Sequence, residues 1–165
     1  MCSSDLKAVR GADLVVLCTP VLSFPALAAT IGPNLAKGAI LSDVGSVKRA
    51  VVEALAPHVR RGVHLVPGHP IAGTENSGPE AGFADLFAGR WCILTPPEGT
   101  DTRAVERVSA LWRKAGMEIA VMPPAHHDRV LAITSHVPHL IAYTIVNTVS
   151  DLEGTMRADV IKFAA

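Results

Sequence analysis

The sequence predicts an α/β fold with a mainly parallel sheet that gives way, from residue 123, to a helical region. Three observations predict it. Short runs rich in Val, Ile and Leu, without apolar/polar alternation, recur along the chain, as in strands covered on both faces. Helical apolar patterns of about 10 to 15 residues separate these runs, the rhythm of βαβ units. After Pro123-Pro124 the strand signal stops, and one apolar-rich helical pattern runs from about Ala125 to Leu152.

Taken in order, the opening MCSSDL fits no element. Ala12–Cys18 (ADLVVLC) is the first strand, expected to be buried on both faces and ended by Thr19-Pro20. FPALAATIGPNLAKG follows as a helix with stops at Gly32-Pro33 and Gly38. Ala39–Val44 (AILSDV) is the second strand. SVKRAVVEALAPHV is a helix, with Val47, Val51, Val52 and Leu55 at helical spacing. VHLVP is the third strand and Arg90–Pro96 (RWCILTP) the fourth. TDTRAVERVSALWRKAG is an amphipathic helix closed by Gly116, and MEIAVM is the fifth strand. ADVIKFAA ends inside a helical pattern without a cap. With its unassigned start, this makes a piece of a longer protein the expectation.

The composition narrows the function classes. The chain has 165 residues, 49% hydrophobic and 18% charged, so it can bury a core. Fifteen Lys and Arg cancel fifteen Asp and Glu, and aromatics are 4%. No basic footprint or stacking surface for nucleic acid is expected, nor one for an anionic membrane. No uninterrupted apolar run approaches the 18 residues of a membrane span, and no signal-peptide layout is present. Cys18 and Cys92 lie in apolar runs and are expected to be small buried side chains in a reducing compartment. A cytoplasmic protein is the expectation.

In open parallel sheets, ligands bind beyond the carboxyl ends of the strands. Three successive strand ends carry distinctive residues: CTPV (Cys18–Val21), SDVGSVK (Ser42–Lys48) and PGHPIAGTENSG (Pro67–Gly78). The right-handed crossover rule brings them to one edge. In the second, Gly45 permits a tight turn and Ser46 stands where a helix N-cap belongs. Its hydroxyl either only caps or also faces a ligand. Lys48, in the first helical turn, reads as a solvated surface residue. In the third, Gly68 and Pro70 hold His69 on a rigid support, and Gly73 marks a further turn. Imidazole titrates near neutrality, so a fixed histidine there suits a general base; a turn histidine without a role is the alternative. Further on, in HHDRVLAITSHVPH, His136 and His139 share a helix face, and Pro138 is expected to kink the helix by freeing the Thr134 carbonyl. His127 and Asp128 precede them. The spacing matches no zinc signature, and no metal is expected.

GADLVVLCTPV, DVGSVK, GHPIAGTENSGPEAGFADLFAGRWCILTP, HHDRVLAITSHVPHLIAYTIV and VIKFAA together resemble the prephenate/arogenate (cyclohexadienyl) dehydrogenase family of tyrosine biosynthesis. The resemblance spans nearly the whole chain. It implies a Rossmann-type sheet lacking its first βαβ unit, because no GxGxxG occurs. Residues 1–122 then form the C-terminal part of a dinucleotide-binding domain, and residues 123–165 begin a helical substrate and dimerisation domain. The implied reaction is NAD- or NADP-dependent oxidative decarboxylation of prephenate or arogenate. The resemblance makes His69 the catalytic histidine and Ser46 the residue that orients it and contacts substrate and cofactor. His139, His136, Thr74 and Glu75 border the substrate, and Thr19, Pro20 and Val21 run beside the dinucleotide. His127 is a supporting residue. The 165-residue chain alone is expected to be inactive, and the whole enzyme to be a homodimer. Rival readings are a non-catalytic regulatory module that binds an aromatic precursor and a His-dependent metallohydrolase; stoichiometric metal in the purified protein distinguishes the latter.

Overall fold

The computed structural model describes residues 3–73, 78–152 and 154–163. The chain divides into two compact units, Met1–Asp128 and Arg129–Ala165. The first runs α1 (Ser3–Val9), β1 (Leu14–Leu17), α2 (Phe24–Ile31), β2 (Ile40–Asp43), α3 (Arg49–Leu55), β3 (His64–Leu65), β4 (Gly68–Pro70), β5 (Trp91–Leu94), α4 (Thr102–Lys114) and β6 (Glu118–Val121). α5 (Pro124–Leu131) closes it and continues into the second unit.

Strands β1, β2 and β3 pair in parallel, Leu14 opposite Ile40 and Ile40 opposite His64. β5 and β6 also pair in parallel, with Cys92 opposite Ile119, whereas β4 runs antiparallel to β5, with His69 opposite Ile93. The mainly parallel α/β architecture therefore holds, with one reversal at β4, a strand directly after the third strand's end that the sequence reading did not assign. The cause is local. Val66 still donates to the Leu41 carbonyl at 2.9 Å, but Pro67 has no amide to continue that ladder. Its carbonyl accepts from Thr95 at 2.8 Å, which turns the chain onto β5.

Neighbouring residues of β2 point to opposite faces. Leu41 joins Leu17, Phe24, Ala28, Ile31, Val51 and Leu55 under α2 and α3. Ile40 joins Val66, Cys92, Leu94, Val108, Trp112 and Met117 under α4. Helices thus cover both faces of the β2 region, as its unbroken apolar sequence requires. α4 buries Ala104, Val108 and Trp112, one side chain per turn, and Trp112 meets Phe87 edge to face at 5.4 Å. The Asp101 side chain caps α4 by accepting from the Arg103 amide; the Arg103 hydrogen bonds hold its carboxyl down at about 2.

Several expectations need correction. The opening segment forms α1 rather than no element, and its Val9 enters the core. In β1 only Leu17 is buried, so that strand is half covered. Cys92 is buried as expected, with its thiol pushed up to about 12 mainly by burial, but Cys18 is exposed at the end of β1.

The second unit contains a π-helical turn (Ala132–His136), α6 (Val137–Ser150) and α7 (Gly154–Phe163). The disturbance expected at Pro138 takes the form of that π turn directly before the proline. Within α6, Leu140, Ile141, Tyr143, Ile145 and Val146 are exposed. Pro124–Ser150, 27 residues, is long and apolar enough by length and composition to cross a membrane. The absence of an 18-residue apolar run did not reveal this, because histidines, Thr and Ser interrupt the segment.

Candidate active site

The carboxyl ends of β1, β2 and β3 lie on one side of their sheet, as parallel pairing demands. Asp43 is the last residue of β2 and is fully buried. Its Oδ2 accepts from the Gly45 amide at 2.7 Å and from the Lys48 ammonium at 2.5 Å, and its Oδ1 accepts from the Gly68 amide at 3.2 Å. Lys48 is not the surface lysine the sequence implied. It is fully buried, and its Nζ also donates to the Gly68 carbonyl at 2.7 Å. Burial pushes the Asp43 carboxyl up and the Lys48 ammonium down, and each charge partly pulls the other back.

Asp43 and Lys48 therefore grip both polar groups of Gly68, the residue before His69. Glycine is required there by close approach. A Cβ at position 68 meets the Asp43 carbonyl oxygen at 3.1 Å and the Leu94 side chain at 3.3 Å. Gly68→Ala is expected to cost about 1–3 kcal/mol through overpacking, read as a lower urea midpoint at unchanged m. An unchanged midpoint contradicts the packing described.

His69 lies in β4, half-buried, not in a loop. Its Nδ1 is 2.9 Å from Nε2 of His127, and the two rings meet edge to face with centroids 5.1 Å apart. His127, on α5, is fully buried, and its Nδ1 is 2.8 Å from Oδ1 of Asp128. Asp128 also accepts from two backbone amides, Lys48 at 2.8 Å and Arg49 at 2.9 Å. These are amides at the amino end of α3. Asp128, 80 residues away in sequence, does the capping assigned to Ser46. Helix α3 starts only at Arg49, and Ser46 stands exposed in the preceding loop.

Partial burial opposes the Asp128 charge, but the two amides and the His127 ring outweigh it and hold the carboxyl below its usual value. A depressed folded value stabilises the protein above the unfolded carboxylate value of about 3.9, and that contribution is lost as pH falls through the folded one. Wild type is therefore expected to lose stability more steeply below about pH 4 than Asp128→Asn, in urea midpoints measured against pH. Parallel curves contradict this.

At the end of β1, Thr19 and Pro20 are exposed and Val21 is half-buried. The Ser23 hydroxyl donates to the Pro20 carbonyl at 2.7 Å, so at the 2.8 Å contact between them Thr19 is the donor. Thr19 thus keeps lone pairs for a ligand that donates. His136 and His139 lie in the second unit, both exposed, and the Nδ1–H of His139 donates to the Ser135 carbonyl at 2.8 Å. Thr74 and Glu75 lie outside the described residues. Sequence reasoning missed the roles of Asp43, Lys48 and Asp128. The available signals were an acid, a glycine and a lysine crowded into DVGSVK and an acid directly after His127.

A family model described as the nucleotide-binding domain of prephenate dehydrogenase matches residues 1–121. The chain belongs to the prephenate dehydrogenase family. A second model, the family's dimerization domain, matches residues 123–165. A cyclohexadienyl dehydrogenase from Zymomonas mobilis is 44% identical over 158 residues, 96% of this chain and 54% of that relative. The crystal structure of Aquifex aeolicus prephenate dehydrogenase, in complex with hydroxyphenyl propionate and NAD+, superposes with a TM-score of 0.79 at 36% identity. That match covers 86% of this chain and 49% of the Aquifex chain. A Synechocystis arogenate dehydrogenase gives a TM-score of 0.82 at 27% identity, over 99% of this chain and 58% of its own. The chain thus spans about half the length of these relatives.

Proposed function

We propose that this chain carries the base-bearing part of an enzyme that oxidatively decarboxylates prephenate, to 4-hydroxyphenylpyruvate, or arogenate, to tyrosine. The observation that carries the reading is His69 seated in β4 against His127, which in turn meets Asp128, in a chain of this family. His69 takes the proton of the ring hydroxyl, and the hydroxyl carbon becomes a carbonyl as its hydride departs. The bond from the ring to its carboxylate then breaks, releasing carbon dioxide. The electron pair left behind aromatises the ring, and the carbonyl oxygen, now phenolate, takes back a proton to become the phenol hydroxyl of the product. A bound NAD or NADP supplies the hydride acceptor. Thr19, Pro20 and Val21, with Ser46, would hold it, and the acceptor lone pairs of Thr19 suit a group that donates a hydrogen bond. Ser46 also orients His69 and contacts the substrate, and His139, His136, Thr74 and Glu75 are the further substrate-binding residues that the family resemblance implies.

Residues 1–122 serve the dinucleotide and residues 123–165 the substrate and a second copy of the chain. The exposed apolar side chains of α6 and the dimerization-domain match support a homodimer rather than a membrane span, and the proposed biosynthetic reaction fits a cytoplasmic enzyme. The test is the protein expressed from its complete reading frame, given prephenate or arogenate with NAD+ or NADP+. Substrate-dependent appearance of reduced nicotinamide with equimolar carbon dioxide is expected. No turnover with any of the four pairs overturns the reading.

A further inference from the structure

We propose that Asp128 and His127 are positioning residues that fix the His69 imidazole with its proton on Nδ1 and its basic lone pair on Nε2. The geometry assigns each proton in turn. Asp128 already accepts from the Lys48 and Arg49 amides, and a carboxylate has no proton to give. The 2.8 Å contact therefore places a hydrogen on Nδ1 of His127. A neutral His127 then has only its Nε2 lone pair to offer across the 2.9 Å contact, so Nδ1 of His69 is the donor. Full burial of His127 and the anchoring of Asp128 to two backbone amides hold the series rigid. The 62° angle between the imidazoles points one ring edge at the other, as a ring-to-ring hydrogen bond requires.

The consequence for chemistry rests on the reading of His69 as the base. With Nδ1 occupied, the proton leaving the substrate hydroxyl goes to Nε2. The resulting imidazolium keeps its Nδ1–H on His127, whose ring is polarised by Asp128. Nothing beyond the substrate proton is transferred.

The test uses the protein from its complete reading frame. Imidazole 15N spectra of the wild type are expected to show neutral His69 as the Nδ1–H tautomer. In His127→Phe that tautomer is no longer enforced, and kcat falls by at least about 10-fold with KM unchanged. Neutral His69 found as Nε2–H in wild type overturns the proposal, and so does a folded His127→Phe with wild-type kcat. If His127→Phe does not fold, the wild-type spectrum decides alone. A His69→Asn variant separates the two readings. Unchanged kcat there removes the base role, while the tautomer still judges the positioning.

Discussion

Replacing His69 with asparagine is expected to lower kcat by about 10²–10⁴-fold, the range for losing a positioned general base. The fold should survive, because His69 is half-buried and its β4 backbone is held by Asp43, Lys48 and the pairing to β5. Asparagine keeps a hydrogen-bond donor of similar reach, so the change removes the titrating group more than the shape. KM is expected to change far less than kcat, since the lost interaction belongs to proton transfer rather than to binding. Steady-state assays with circular dichroism on the same samples check this. A near wild-type kcat in a folded His69→Asn protein removes His69 from the base role.

Lys48→Met is expected to cost about 3–5 kcal/mol of folding stability, because it leaves the Asp43 carboxylate buried without its counter-charge. Methionine fills the same volume and folds into the same space, so the loss is electrostatic rather than a cavity. Many buried ion pairs can be exchanged for two apolar residues at no cost. This one is expected to resist. Asp43 serves the amides of Gly45 and Gly68 as well as Lys48, and an apolar residue at 43 orphans both. The double variant Asp43→Leu with Lys48→Met should therefore remain destabilised by more than about 2 kcal/mol. Urea unfolding of the two variants measures this, and recovery of wild-type stability in the double variant contradicts the dual role of Asp43.

What the sequence revealed follows the range of the interactions. Ile40–Asp43 and Thr102–Lys114 were legible because their patterns are local: an unbroken apolar run, and apolar residues at helical spacing behind an aspartate cap. His69 was legible as a residue held rigidly between Gly68 and Pro70. Its setting was not. Burial of Lys48 depends on Asp43 five residues back and on the Gly68 peptide twenty residues ahead. Capping of α3 depends on a side chain 80 residues away, so Ser46, which has the right type in the right place, was the natural but mistaken choice. The reversal at β4 turns on the missing amide of Pro67, which in the sequence reads only as the end of the third strand.

The three-way grip of Asp128 has an evolutionary consequence. One carboxylate secures the start of α3 and the orientation of a buried imidazole, so position 128 answers to two selective demands at once. A glutamate moves both oxygens outward by a methylene, and an asparagine loses an acceptor toward one of its three donors. Drift at this site therefore cannot trade folding against chemistry. A lineage that abandons the imidazole arrangement must also find a new way to begin α3, and random libraries should return position 128 as a failure of solubility before any loss of turnover is seen.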